Sequence, residues 1–167
     1  MVKAQLVWQN ENVYISARVD YAMRALLELT TAQRENSRAL LKGDAIAEKH
    51  GIPTKFLVGV LTSLRTAGIL SSLRGKDGGF RLAKPAVEIR VADVMRALEG
   101  PLAEVRGERP EEMEYVGSAE HLRDVWVATR VALRNVLENV SLADIEAGKL
   151  PEQVADLLAA PGAWSRR

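Results

Sequence analysis

The stretch LRGKDGGFRLAKP, Leu73 to Pro85, concentrates groups that could do chemistry: three glycines, one aspartate and the four basic residues Arg74, Lys76, Arg81 and Lys84. Gly75-Lys76 invites comparison with a phosphate-cradling loop, which needs Ser or Thr after the lysine and a helix N-terminus directly beyond. Here Asp77 follows Lys76, and the β-prone Phe80-Arg81-Leu82 follows the glycines. The nucleotide-cradle chemistry is therefore not met. A second cluster, Glu108, Glu111, Glu112 and Glu114, has the donors for a hard cation, with a solvated acidic loop as the simpler expectation. His50 and His121 have no catalytic partner at a recognisable spacing, and no serine nucleophile motif is present. His50 reads as a helix-end histidine and His121 as a surface residue. The chain has no cysteine, which removes disulfides, thiolate catalysis and thiolate-held metals together. The expectation is a protein that is not an enzyme and has no metal or cofactor.

The 167 residues, 47% hydrophobic, suffice for one compact domain or a small domain with an oligomerisation arm. The net charge is only +1, but its distribution matters more than its sum. Arg65, Arg74, Lys76, Arg81, Lys84 and Arg90 face only Asp77 and Glu88 in the middle of the chain. From Glu99 to Asp124 the balance reverses, with Glu104, Glu108, Glu111, Glu112, Glu114 and Glu120 outweighing Arg106, Arg109 and Arg123. One face is expected to meet an anion while another stays clear of it. No apolar run approaches bilayer length and no signal-peptide pattern opens the chain, so the expected location is cytoplasmic, without a membrane partner.

The elements that must position the basic loop follow from periodicity. Residues 1–12 show no helical period and read as an extension. From Ile15 a helix capped by Ser16 places Val19, Ala22, Met23, Leu26, Leu27 and Thr30 on one face, ending in the polar run Gln33 to Arg38. A short helix over about Lys42 to His50, with Ala45, Ile46 and His50 inward, stops at Gly51. Pro53 and Thr54 open the next helix, which carries Phe56, Leu57, Val60, Leu61 and Leu64 inward and stops at Gly68. Two helices about a tight glycine turn make a helix-turn-helix, or a plain helical hairpin. The short strand Ile69 to Leu73, the turn Gly75 to Gly79 and the returning Phe80-Arg81-Leu82 add a wing.

Val91 to Leu98 is a further helix, stopped at Gly100-Pro101, and residues 101–117 are an acidic loop. A long helix starts near Ser118 or Ala119. Its stripe is Leu122, Val125, Trp126, Thr129, Leu133, Val136, Leu137 and Val140, over roughly six turns. That exceeds what one small core needs, so a symmetry mate is expected to cover it; packing within its own chain is the alternative. Ser141 and Asp144 can cap a short helix, and a last one starts at Pro151, with the tail from Pro161 expected to fray. The expected fold is mainly α with a small β-hairpin. The expected organisation is an extension (1–12), a winged helix-turn-helix domain (13–90), a short helix and acidic loop (91–117), a dimerisation helix and cap (118–148), and a C-terminal helix and tail (149–167).

In this order, ISARVDYAMRALLEL, LRTAGILSSLRGKDGGF, VADVMRALEGP and LRDVWVATRVALRNVLENVSLADI together resemble the Rrf2 family of transcriptional regulators, from about Ile15 to Gly148. The resemblance implies a homodimeric winged-helix protein on a palindromic double-stranded DNA operator. It also implies a start close to Val13, which makes residues 1–12 an upstream-start artefact or a variable arm. The best-known members carry three cysteines in the loop before the long helix and hold an iron–sulfur cluster there. Here that loop, PLAEVRGERPEEMEYVGSAEHLRDVW, has none, and the cluster is not carried over. The resemblance is closer to the cysteine-free branch, which includes repressors of cysteine and sulfur metabolism that sense through a partner enzyme such as cysteine synthase. A small ligand between wing domain and long helix, or no effector, are the other options for the signal.

In a helix-turn-helix the first residues of the second helix reach base edges. Thr54 could bond a base edge or a thymine methyl, and Lys55 could reach guanine or a phosphate. Phe56 either packs under the helix or presents its ring to a thymine methyl. Gly59 leaves room for the duplex or is simply a weak helix position. Ser16, Arg18 and Arg65 are candidate phosphate contacts, or ordinary surface groups. The resemblance places a minor-groove arginine at Arg74, with Lys76 and Arg81 directed to phosphates. The competing class is a winged-helix protein–protein adaptor, since fold alone does not assign function.

Overall fold

The computed structural model describes residues 15–165, so the expected extension over residues 1–12 lies outside them. The first apolar stripe becomes α1, Ala17–Glu35. Ser16 has extended backbone angles, and its Oγ accepts the Val19 N–H at 3.2 Å, a hydroxyl cap at the helix start. Val19, Ala22, Ala25, Leu26, Leu29 and Thr30 are buried, with Met23 and Leu27 packed at their margin. Thr30 satisfies its hydroxyl within the core by donating to the Leu26 carbonyl at 2.8 Å.

Two helices follow, α2 (Gly43–His50) and α3 (Thr54–Thr66), joined through Gly51, Ile52 and Pro53. Gly51 takes φ 62°, the left-handed conformation that ends a helix at lowest cost with glycine. Gly43 is buried against α3, where a Cβ would lie 3.2 Å from Leu61 Cδ1. The inward residues of α2 are Gly43, Ile46 and Ala47. Ala45, expected inward, is exposed: the stripe of this short helix starts at Gly43, one step out of phase with the expected one. On α3, Leu57, Val60, Leu61 and Leu64 are buried as expected. Burial of such a side chain contributes about 1.5–3 kcal/mol each. Phe56 is the exception, 44% exposed.

Strands β1 (Leu70–Leu73) and β2 (Gly79–Leu82) pair antiparallel, with Leu70 opposite Leu82 and Leu73 opposite Gly79. The chain before α2 adds a further bridge: Leu41 and Phe80 exchange both backbone hydrogen bonds, at 3.0 and 2.8 Å. Gly79 allows that approach, since a Cβ there would fall 2.6 Å from the Leu41 carbonyl oxygen. The glycine thus serves a close backbone passage.

Beyond the wing lie α4 (Val91–Glu99), α5 (Leu122–Leu137), α6 (Leu142–Glu146) and α7 (Glu152–Ala159). The acidic loop between α4 and α5 holds two single 3-10 turns, Pro110–Glu112 and Gly117–Ala119. None of α5's residues is buried, and Val125 and Val131 stand 53% and 46% exposed. The helix is also shorter than its stripe suggests. Val140 lies past its end, buried, with its carbonyl accepting the Val91 N–H at 3.0 Å. It therefore belongs to the chain's own interior and leaves the expected dimerisation stripe, because that backbone bond ties it to the start of α4. Among the described residues no helix is long and apolar enough to cross a membrane.

Residue Ser141 is fully buried and closes a capping box: its Oγ accepts the Asp144 N–H at 3.1 Å, and Asp144 Oδ2 accepts the Ser141 N–H at 2.8 Å. Bonds from the Ser141 hydroxyl and then its backbone hold the Asp144 carboxyl below its ordinary value of 3.8. Ser141→Ala is expected to cost about 1 kcal/mol by chemical denaturation at neutral pH. A folded-state pKa that is lowered contributes stability above the unfolded value and loses it as pH falls through the folded one. The gap between wild type and variant should therefore narrow below the ordinary aspartate value, and a gap constant down to strong acid would contradict the role given to Asp144.

Candidate nucleic-acid interface

The burial of Leu57, Val60, Leu61 and Leu64 leaves Thr54, Lys55, Phe56, Val58, Gly59 and Thr62 on the outer side of α3. Phe56 is neither core nor free. Its ring meets Tyr21 of α1 edge to face, centroids 5.6 Å apart, and the Arg24 guanidinium stacks 4.8 Å from the other ring's centroid. That contact fixes the rotamer of an exposed aromatic. At Gly59 a Cβ would meet nothing within 4 Å, so the surface there is open to approach.

The wing turn presents Arg74 and Lys76 exposed, with Asp77 between the glycines. Gly75 takes φ 107° and its carbonyl accepts the Gly78 N–H at 3.1 Å. A side chain at Gly78 would collide with the Leu73 carbonyl oxygen at 2.1 Å. Arg81 leans across the hairpin, Nε donating to Ser71 Oγ at 3.2 Å, and Arg65 of α3 donates to Ser72 Oγ at 3.4 Å. This second bond ties the end of α3 to the first wing strand. None of the ion pairs among the described residues includes Lys55, Arg65, Arg74, Lys76 or Arg81. The basic groups of helix and wing thus keep their charge uncompensated by protein carboxylates.

Two N-terminal candidates have immediate tasks inside the chain. Ser16 caps α1, as described. Arg18 donates from Nη1 to the Leu98 carbonyl at 2.9 Å and from Nη2 to Ser63 Oγ at 2.8 Å. Leu98 sits in the last turn of α4, where carbonyls lack intrahelical partners and a cation is favoured. The guanidinium is thereby a strut between the end of α4 and α3. Ser63 was missed as a functional candidate, and no local pattern could have revealed a partner 45 positions away.

Of the titratable groups, Glu28 is held below the usual carboxylate range, chiefly by the Lys49 ammonium at 2.5 Å, and His50 Nε2 lies 3.3 Å from its other oxygen. This cluster clamps α1 to α2. His121 is exposed beside Asp124 at 3.7 Å.

Helix-turn-helix, hairpin wing and uncompensated basic surface together define a winged helix-turn-helix protein of the nucleic-acid-binding class. The model of the Rrf2 family, described as iron-dependent transcriptional regulators, matches residues 15–148, and the chain belongs to that family. The Mycobacterium tuberculosis protein Rv1287, which carries the name of an HTH-type transcriptional regulator, is 46% identical over 143 residues, 86% of this chain and 87% of that one. The solved structure of CymR, the global cysteine regulator of B. subtilis, matches with TM-score 0.68 and 26% identity over 82% of this chain and 98% of its own. T. potens IscR matches with TM-score 0.65 and 26% identity over 82% and 88%. Rv1287 and CymR carry regulator names, and with the family match the chain is a transcription regulator rather than an enzyme.

The family description names iron, and the donors here do not fit it. The sequence has no cysteine, and among the described residues no three or more His, Asp or Glu side chains gather as a metal site. Glu111, in the loop before α5, is engaged by Arg130.

Proposed function

We propose that the chain binds a palindromic operator as a homodimer and represses transcription, with control of cysteine or sulfur metabolism as its field. The observation that carries the DNA reading is the set of exposed, unpaired cations on two adjoining elements, Lys55 on α3 and Arg74 and Lys76 on the wing. Thr54 and Lys55, with Phe56 and the open surface at Gly59, face the major groove; Arg74 enters the minor groove; Arg65, Lys76 and Arg81 meet phosphates. Arg18 and Ser16 contribute by setting α1 and α3 in place. The dimer reading is supported by α5, whose residues Leu122, Val125, Trp126, Thr129, Leu133, Val136 and Leu137 have no buried member within the protomer. A second copy supplies the missing cover. The metabolic assignment rests on the likeness to CymR, and a docking enzyme such as cysteine synthase is the corresponding partner.

Gel shift against the DNA upstream of the chain's own gene, at two salt concentrations, tests the reading. A competitor-resistant complex that weakens steeply with salt is expected, since phosphate contacts release counterions. Absence of any such complex would favour the adaptor.

A further inference from the structure

Between α4, the loop that follows it and α5 lies a cavity of about 500 Å³ whose lining includes Arg96, Arg109, Arg130 and Arg134 against Glu104 and Glu111. With Glu138, which pairs with two of them, the four guanidinium groups meet three carboxylates, a small excess of positive charge in the most acidic stretch of the chain. Arg96 and Arg134 share Glu138, and Arg130 pairs with Glu111 through Nη1. Arg130 is only 18% exposed, and its Nε is buried without an acceptor. One helical turn earlier, Trp126 Nε1 is likewise buried without an acceptor. Trp126 lines a second, mainly apolar cavity of about 500 Å³, which shares the wall Gly100–Glu104 and Pro110 with the first. A buried donor left unpaired is costly; Arg24 Nε of α1 shares that state, so what distinguishes this region is the arginine-rich lining of two linked cavities on one helix.

We propose that these linked cavities form an effector site for a small organic oxyanion. Its carboxylate or phosphate oxygens sit among Arg109, Arg130 and Arg134, and an apolar body extends towards Trp126, in space that the second copy of the proposed dimer roofs over. Planar guanidinium groups suit both oxyanions through paired N–H donors. The site also has a route to the DNA-reading helix. Gly100, in the shared wall, is two residues past Leu98, whose carbonyl holds Arg18, which in turn holds Ser63 of α3. That route rests on the operator-binding reading; the ligand site does not.

The test uses the whole 167-residue chain with Trp8→Phe and Trp164→Phe, leaving Trp126 as its one tryptophan. Fluorescence is titrated with inorganic phosphate, acetate, succinate and 2-oxoglutarate at millimolar concentration. A saturable change with at least one probe is expected, and the comparison of phosphate with the carboxylates identifies the headgroup. Arg130→Gln should weaken the response roughly tenfold or more, as loss of a charge-assisted contact does. Arg109→Gln, at an exposed side chain outside every ion pair among the described residues, should weaken it while leaving the melting curve unchanged. No saturable response to any probe, or equal responses in both variants and the parent, would overturn the site. The readout involves no DNA, so failure here leaves operator binding standing, and the reverse also holds.

Discussion

A chain carrying Val125→Asp is expected to sediment as a monomer and to lose operator affinity by about 10²–10⁴-fold, the factor that linking two binding modules confers. Val125 is 53% exposed in the protomer, so its replacement removes little from the protomer's own core, and exposed substitutions usually stay within about 0.5 kcal/mol. In the proposed dimer the same position lies in the apolar stripe of α5, where an unpaired carboxylate would be stripped of water. The predicted signature is a melting curve that loses its dependence on protein concentration, with helix content retained. Val125→Ala should give an intermediate association constant. A dimer of unchanged strength in the Asp variant would place the interface elsewhere. Analytical ultracentrifugation and fluorescence anisotropy with a full and a half operator separate these outcomes, because a monomer should treat the two DNAs nearly alike.

The second large effect is expected at the wing tip. Arg74→Ala should weaken operator binding by about 1–3 kcal/mol, the range of a specific contact. Folding should hardly change, since Arg74 is exposed and absent from the ion pairs among the described residues. Lys76→Ala should instead weaken binding to all sequences similarly and lower the salt slope by about one unit. Arg74→Lys should recover only part of the loss, because a compact, strongly hydrated ammonium enters a narrow groove less well than a guanidinium. Affinity unchanged in Arg74→Ala at moderate salt would remove this residue from the interface.

Local signals carried much of this molecule. The three- and four-residue steps in α3 located its buried face, because that face is set by Leu57, Val60, Leu61 and Leu64 within one helix. The glycines of the wing announced a tight turn, since Gly75 needs a positive φ whatever surrounds it. The reason for Gly79 was not legible locally: spacing marks it only as the end of the turn, and the segment it must pass, at Leu41, precedes two helices. Phe56 shows the opposite failure. Its spacing suits the core, yet Tyr21 offers an edge-on contact at the surface, and this held the ring outside. The stripe of α5 ran on to Val140 by spacing alone, where a backbone bond from Val91 takes over and the helix has already ended. The proposed effector cavities had no sequence signal at all, because Arg96, Arg109 and Arg130 come from three segments and look like ordinary surface charges until folded.

The strut formed by Arg18 limits how this protein could be given a new operator. Exchanging the outward residues of α3 for those of another regulator would appear to rewrite base recognition alone. Yet Ser63 lies on the same helix, and its hydroxyl holds the guanidinium that also secures the Leu98 carbonyl. A transplanted helix without a hydroxyl there would free one side of Arg18 and let α3 reseat against its neighbours. Altered specificity would then come with altered docking angle, and a library that varies Thr54, Lys55, Phe56 and Val58 should keep Ser63 fixed.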